Sequence, residues 1–162
     1  MSDELRNVKL GLAMVLLSLA FGVGMGISFG VNESAYKADI AVGIVTHPEL
    51  HDQQSDDKIW RYAQRAHFHA TGIGAFSLGL VMLIMFSGMS SFSMKLASFL
   101  VGMSGFYPLS WYTMYTLAPT MGRGPAHDHI LTEIFTYLGV GGLLLGFLMI
   151  VGSIFFGLFK YR

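Results

Sequence analysis

The chain contains no cysteine and few charged residues. The absence of cysteine from its 162 residues excludes disulfide staples, thiolate metal sites and cysteine nucleophiles. Charged residues make up 12% of the chain, about half the ~25% typical of a soluble domain. Ten basic residues balance ten acidic ones, so the chain lacks the positive footprint of a nucleic-acid-binding protein. What the chain has instead is apolar: hydrophobic residues reach 53% and the mean hydropathy is +0.56.

Four long windows carry no charge. They contain 23, 29, 27 and 26 residues, and their boundaries are Lys9 and Glu33, Arg65 and Lys95, Lys95 and Arg123, and Glu133 and Lys160. Each window exceeds the ~20 apolar residues that a helix needs to cross about 30 Å of hydrocarbon. A soluble helical protein would need a charged face on each helix, and these windows have none. The sequence therefore predicts a single-domain, all-α, integral membrane four-helix bundle in a lipid bilayer, with spans at about 8–32, 58–88, 94–117 and 125–159.

Four spans place both chain ends on the same side of the membrane. The ten basic residues divide five against five between the two sides. Those on the side of the termini all lie in short segments at helix ends, which favours cytoplasmic termini. The first helix is too long for a signal-peptide core and lacks a cleavage signal, so we expect it to be retained. Eight of the ten acidic residues and all six histidines lie on the opposite side, which we expect to be the periplasmic face of a bacterial inner membrane.

The first loop and two prolines predict where helices begin, bend and end. Apolar residues at helical spacing over about 34–46 predict an interfacial amphipathic helix, which the sequence His47-Pro48 should end. Ser55, followed by two aspartates, predicts the start of the second span. Pro108 should bend the third span and free a carbonyl one turn earlier, and Pro125 is placed to be the first residue of the fourth.

Small residues recur every four positions along three of the predicted spans. Such rows let membrane helices approach closely. The rows are Gly22, Gly26 and Gly30; Ala66, Ala70 and Gly74; and Gly142 and Gly146. Glu33 falls in the angular sector of the first row, so we expect it to face another helix.

Candidate site residues gather where the predicted spans meet the histidine-bearing side. Arg61, Arg65 and His69 form one stripe on the second span, with His67 on nearly the opposite face, and His129 and Glu133 lie one turn apart on the fourth. Helical rise places these groups near the outer boundary of the hydrocarbon. Imidazoles and carboxylates are ligands for zinc, iron, copper or manganese. One prediction is therefore a transition-metal site whose ligands are His69, His129, Glu133 and Glu33.

A b-type haem is the second version of this site. Two imidazoles at equal depth on the second and fourth spans can be axial ligands, chosen from His67, His69, His127 and His129. Guanidinium groups bind carboxylates bidentately, so the candidates for pairing with the propionates are Arg61, Arg65 and Arg123. Either version predicts an electron-transfer protein that contacts a membrane quinone or a periplasmic electron carrier.

Two alternatives come from other functional classes. The stretch 61–67, which reads Arg-Tyr-Ala-Gln-Arg-Ala-His, resembles the small four-helix membrane glutathione and eicosanoid enzymes. That resemblance implies a glutathione-transferase-like activity, but the asparagine and glutamate that follow in the family are replaced by the run 68–72 here, so no active-site residue is transferred. The other alternative is a non-catalytic accessory subunit, since the small-residue rows also suit a homo-oligomer or a larger membrane complex.

Overall fold

A computed structural model describes residues 2–160, and every regular element in that range is helical. Six α-helices follow one another along the chain: α1 (Asp3–Thr46), α2 (Ser55–Phe86), α3 (Ser91–Gly102), α4 (Phe106–Met121), α5 (Arg123–His127) and α6 (Ile130–Phe156). Two short 3-10 turns, Pro48–Leu50 and Met103–Gly105, complete the order. The prediction of an all-α chain is confirmed.

Three of these helices, α1, α2 and α6, are long and apolar enough to cross a membrane. This is consistent with the predicted membrane protein, but a bundle of four spanning helices is not confirmed. The predicted third span is divided into α3 and α4 by the turn Met103–Gly105. The physical reason is Pro108, which has no N–H to donate to the carbonyl of Ser104 one turn earlier. The effect of the proline is thus a 3-10 turn, across which Gly102, Met103, Gly105 and Phe106 keep right-handed helical angles.

The interfacial helix and the first span lie within one element. α1 continues to Thr46, and only Asn32 departs from helical geometry, with φ of −130° and ψ of 24°. Beyond this kink, Ile40 and Gly43 are buried, and Gly43 contacts Pro119 of α4. The inner face of residues 34–46 therefore packs on the bundle. Its location on a bilayer surface stays a prediction.

Two of the other helix boundaries lie where they were predicted, and one does not. α1 ends at Thr46, with His47 as its C-cap, and α2 begins at Ser55, both as predicted. The predicted start of the fourth span at Pro125 is wrong. Pro125 lies in the short helix α5, which follows a turn at Gly122 with φ of 83°. The helical path is interrupted again at His129, the N-cap of α6, because this residue adopts extended backbone angles.

Two hydrophobic clusters mark the two ends of the bundle. Near the chain ends, Ser90 N–H donates to the Phe159 carbonyl at 2.9 Å and Asn7 contacts Met94. We call this the terminal end, made of residues 2–10, 84–96 and 150–160. The opposite cluster contains Ile40, Ile59, Trp60, Ala63, Tyr115, Ala118 and Ala126. We call that side the histidine end, made of residues 33–69 and 107–137. Both described ends of the chain therefore lie together, away from the histidines.

The small-residue rows pack as predicted, with one exception. A methyl group at Gly22 would lie 2.9 Å from the Cβ of Ala70, and one at Gly26 would lie 2.7 Å from the Cε1 of His67. α1 and α2 therefore touch where these glycines lie. A methyl group at Gly30 would meet no other part of the described structure within 4 Å, because the kink that follows Gly30 turns α1 away.

The row on α6 packs against the broken helix. A methyl group at Gly142 would lie 2.7 Å from the Cβ of Met103, and one at Gly146 would lie 2.7 Å from Val101. Gly139 continues the same row and contacts the backbone of Tyr107. This close approach of α6 to α4 positions the side chains at the histidine end.

Candidate functional site

His67 faces α1. Its Nδ1 lies 2.7 Å from the carbonyl oxygen of Gly22, and the ring occupies the notch that Gly26 leaves open. The edge of Phe29 approaches the same ring, with centroids 6.0 Å apart. Glycine at positions 22 and 26 is what lets α1 come near enough for this contact.

His69 faces α4 instead. Its Nδ1 lies 2.7 Å from the carbonyl oxygen of Arg65 on its own helix. Its ring stacks on Trp111 at 5.6 Å and 16°, and meets the edge of Tyr107 at 5.0 Å. His67 and His69 thus contact different neighbouring helices, as the predicted opposite faces require.

The hydrogen bonds of these histidines determine where a neutral ring carries its proton. A carbonyl oxygen can only accept, so in His67 and His69 the Nδ1 atom carries the proton and donates it. The Nε2 lone pair is then available to a ligand, which is the arrangement found in metal-ligating histidines. His127 follows the same rule, since its Nδ1 lies 2.8 Å from a carboxylate oxygen of Asp128.

His129 has the opposite tautomer. As the N-cap of α6, its Nδ1 accepts a hydrogen bond from the backbone N–H of Leu131 at 3.3 Å. A neutral ring in this position carries its proton on Nε2. The nitrogen that would reach a metal or haem iron from this residue is therefore occupied by a hydrogen, and helix capping accounts for its position.

The predicted four-ligand metal site is not assembled in the structure. Within residues 2–160, no group of three or more histidine, aspartate or glutamate side chains lies close enough to hold a metal ion. Glu33 does not face another helix as expected: it is exposed beyond the kink and pairs with Lys37 at 2.6 Å. The predictions of a metal or haem stay predictions, because no ligand is part of this structure.

The three predicted arginines are in different situations. Arg123 is paired with the carboxylate of Asp52 at 2.7 Å. Arg65 places its guanidinium over the ring of Trp111, 4.7 Å from the centroid. Among the described residues, neither Arg65 nor Arg61 has a carboxylate partner within 4.0 Å.

Asp52 joins the first loop to the turn between α4 and α5. Besides Arg123, it accepts hydrogen bonds from the hydroxyl of Ser55 at 3.0 Å and the backbone N–H of Gln54 at 2.9 Å. The Ser55 hydroxyl is the main cause that lowers the pKa of Asp52, helped by Gln54 and the charge of Arg123. Next to it, His51 lies 3.0 Å from the Pro119 carbonyl. The loop is therefore tied down and does not extend freely into solvent.

A cavity of about 170 Å³, lined by polar, aromatic and apolar side chains, lies between α4 and α6 at the histidine end. It brings together two of the predicted site residues, His127 and Glu133. The other lining residues are Tyr107, Ser110, Trp111, Met114, Thr132, Thr136 and Tyr137. Trp111 and Tyr107 also contact His69, so α4 connects the cavity to the histidine of α2.

Several groups around the cavity are free to bind a ligand. Within residues 2–160, the carboxylate of Glu133 and the hydroxyls of Tyr107 and Tyr137 have no hydrogen-bond partner. The neutral ring of His127 adds the Nε2 lone pair. The cavity thus offers two hydroxyl donors and two acceptors within aromatic walls.

The sequence did not single out the α4 wall of this cavity as a whole. Tyr107, Ser110, Trp111 and Met114 follow the i, i+3, i+4, i+7 spacing of one helical face. That spacing could have indicated a shared face on α4, but an ordinary packing face shows the same spacing. Only the position of α6 shows that this face lines a cavity.

Comparison with known protein families, curated proteins and solved structures finds no match to this chain. Its function is therefore inferred from the geometry of the histidine end.

Proposed function

We propose that this chain is an integral membrane protein of a bacterial inner membrane that binds a quinone head group in the cavity between α4 and α6, as part of electron transfer. In this proposal α3 and α4 together form a broken fourth span, the chain ends are cytoplasmic and the histidine end is periplasmic. The main support for the proposal is that His127 and Glu133 both line one cavity with aromatic walls.

The size of the cavity supports a single-ring ligand. Its volume of about 170 Å³ lies below the ~300–1,000 Å³ of pockets for drug-sized ligands, so it suits one substituted ring and excludes a porphyrin. Tyr137 at its rim is 72% exposed, and Ile134 on the same helix is also exposed. A ring in the cavity can therefore carry its isoprenoid tail outward into lipid.

The chemistry of the lining supports a quinone in particular. A quinone carries two carbonyl oxygens, which accept hydrogen bonds, and its reduced quinol carries two hydroxyls, which donate them. The hydroxyls of Tyr107 and Tyr137 can donate to the first form. The carboxylate of Glu133 and the Nε2 lone pair of His127 can accept from the second. Both forms therefore find complementary groups in one place.

Tryptophan fluorescence tests the proposal directly, because the chain has only two tryptophans. Trp111 lines the cavity, whereas Trp60 does not and lies in the hydrophobic cluster shared by α1, α2, α4 and α5. In nanodiscs, a short-chain ubiquinone should quench Trp111 saturably in the Trp60→Phe variant. The Trp111→Phe variant, which reports Trp60, should show only the weak linear quenching of quinone dissolved in lipid.

Tyrosine variants supply the matched control. Tyr107→Phe removes a hydroxyl from the cavity and should raise the quinone dissociation constant several-fold, the effect of one hydrogen bond of about 0.5–1.5 kcal/mol. Tyr62→Phe removes a hydroxyl from a ring that touches Trp111 at 5.8 Å but does not line the cavity, and should leave binding unchanged. Linear quenching of Trp111, or equal effects of both variants, would contradict the proposal.

Haem b bound through His69 is a second candidate. The specific observation in its favour is the Nδ1 hydrogen bond to the Arg65 carbonyl, which leaves Nε2 available. Porphyrin supplies four ligands itself, so one imidazole suffices where a protein-built metal site needs several. A Soret band in the purified protein should disappear in His69→Ala and persist in the control His47→Ala. Absence of a Soret band in the wild type would eliminate this candidate, and metal analysis of the same sample would test the predicted transition metal.

A further inference from the structure

Two of the five basic residues at the histidine end have no acidic partner. Lys37 pairs with Glu33, and both Lys58 and Arg123 lie near Asp52. The two that remain are Arg61 and Arg65, which lie one turn apart on α2; within residues 2–160 no carboxylate lies within 4.0 Å of either one. Both side chains are exposed. Two neighbouring positive charges are therefore available to an external anion.

Arg65 is held in place without losing its hydrogen-bonding capacity. Its guanidinium lies over the ring of Trp111, 4.7 Å from the centroid, and the Trp111 ring is itself in contact with Tyr62 at 5.8 Å and with His69 at 5.6 Å. This cation–π contact involves no hydrogen-bond acceptor, so the N–H donors of Arg65 stay available. Arg65 is thus positioned for bidentate binding of a phosphate.

If α2 spans the membrane as proposed, the two arginines lie at the depth of the lipid headgroups. Helical rise places Arg65 about 32 Å and Arg61 about 38 Å from Phe86 at the other end of α2. The hydrocarbon layer is about 30 Å thick. If α2 enters the hydrocarbon near Phe86, Arg65 lies just outside its far boundary and Arg61 one turn further out, where phospholipid phosphates are found.

Below the arginines, the same face of α2 is apolar and open. Phe68 follows Arg61 at i+7 and is 62% exposed, and Phe76 is 53% exposed. Between and beyond them, a methyl group placed at Gly72 or Gly79 would meet no side chain or neighbouring helix within 4 Å in the described structure. The glycines leave shallow depressions between the aromatic rings, so an alkyl chain can lie along this face. The footprint combines a phosphate-binding pair with an apolar stripe beneath it.

We propose that Arg61 and Arg65 bind the phosphate of an anionic phospholipid, whose acyl chains lie along the stripe formed by Phe68, Gly72, Phe76 and Gly79. A net negative headgroup is favoured because no described carboxylate lies within 4.0 Å of either arginine, whereas the choline of phosphatidylcholine would add a third positive charge. The lipid site rests on the proposed membrane location of the chain. It is separate from the cavity between α4 and α6 and does not depend on quinone binding.

Native mass spectrometry of the full chain tests this site. The protein is released from nanodiscs that contain equal amounts of phosphatidylglycerol and phosphatidylcholine. The wild type should retain one phosphatidylglycerol molecule in preference to phosphatidylcholine, and an excess of inorganic phosphate should not displace it, because the chains contribute to binding. In the described structure the Arg61 side chain has no hydrogen bond, ion pair or ring contact. Arg61→Gln should therefore reduce retention about tenfold, the typical effect of losing one charge-assisted hydrogen bond.

Lys37→Gln is the matched control, since it removes the same charge from the same end of the protein but from a residue that is already paired. It should retain the lipid. Arg65→Lys should bind less than the wild type, because lysine keeps the charge but loses the planar fork of N–H donors. Equal retention of the two lipids by the wild type, full retention by Arg61→Gln, or displacement by inorganic phosphate would overturn the proposal.

Discussion

A methyl group added at Gly26 should destabilise the contact between α1 and α2, whereas the same change at Gly30 should not. The methyl group of Gly26→Ala would lie 2.7 Å from Cε1 and 3.3 Å from Nδ1 of His67. The imidazole must then move and lose its 2.7 Å hydrogen bond to the carbonyl of Gly22. At position 30 the methyl group meets nothing within 4 Å.

The expected size of the effect follows from three contributions. Loss of the His67 hydrogen bond costs about 0.5–1.5 kcal/mol, and forcing an extra methyl group into a packed contact costs about 1–3 kcal/mol. Alanine gains up to about 1 kcal/mol over glycine in a helix, but both variants share this gain, so it cancels in the comparison. Gly26→Ala should therefore be less stable than Gly30→Ala by about 1–3 kcal/mol, since a partial rotation of the ring relieves part of the crowding.

Unfolding of each purified variant by SDS in mixed micelles measures this difference. In a His67→Ala background the ring is absent, so the two glycine variants should become nearly equal in stability. Equal stability of Gly26→Ala and Gly30→Ala with His67 present would refute the reasoning. A difference that persists after removal of His67 would show that another contact is responsible.

Three further predictions concern pH, a buried hydroxyl pair and the α6 row. The pKa of Asp52 is lowered in the folded protein. Its ionised form therefore stabilises the fold above its unfolded pKa, and this contribution is lost as the pH falls through the folded pKa. Acid should destabilise the wild type more than Asp52→Asn in pH-dependent unfolding, and parallel curves of unfolding free energy against pH would contradict this. The hydroxyls of Ser77 and Ser104 lie 2.8 Å apart in the buried interior. A double-mutant cycle with alanine at both positions should give a coupling energy of about 0.6 kcal/mol, typical of membrane proteins. Zero coupling would show that this hydrogen bond does not stabilise the fold. Gly142→Ala should destabilise the fold, because its methyl group would lie 2.8 Å from the Leu100 carbonyl oxygen. The methyl group of Gly141→Ala meets no described residue of another element within 4 Å, so this variant should keep its stability. Equal free energies of unfolding for the two variants would contradict the packing of α6.

The sequence predicted much of the secondary structure because its main determinants are local. Uncharged windows follow from the cost of placing charge in hydrocarbon, and they located three long apolar helices. The stop at His47 and the start at Ser55 follow from proline geometry and helix-start residues. The interruption before Pro108 was also predictable, since a missing N–H affects its own turn. Whether α3 and α4 form a helix that bends or one that breaks depends on how neighbours pack around the turn.

The candidate site was predicted less well, because periodicity does not determine which faces meet. Glu33 shares an angular sector with Gly22 and Gly26 only if α1 stays straight, and the non-helical Asn32 removes that relation. Spacing alone does not decide between a ligand role and a helix-capping role for His129. Its role as N-cap follows from the break after α5, which sets the direction of its hydrogen bond.

The sequence by itself determined that the chain is helical and apolar, that its histidines and most of its acids lie on one side, and that small residues line the helix contacts. These properties follow from composition and spacing, which act over one or two turns. Only the tertiary structure decided that His67 faces α1 while His69 faces α4, and that His127 and Glu133 share a cavity walled by α4. The reason is physical: a cavity exists where two helices fail to close completely, and the distance between helices is set by the glycines at 139 and 142 acting against residues that are distant in sequence.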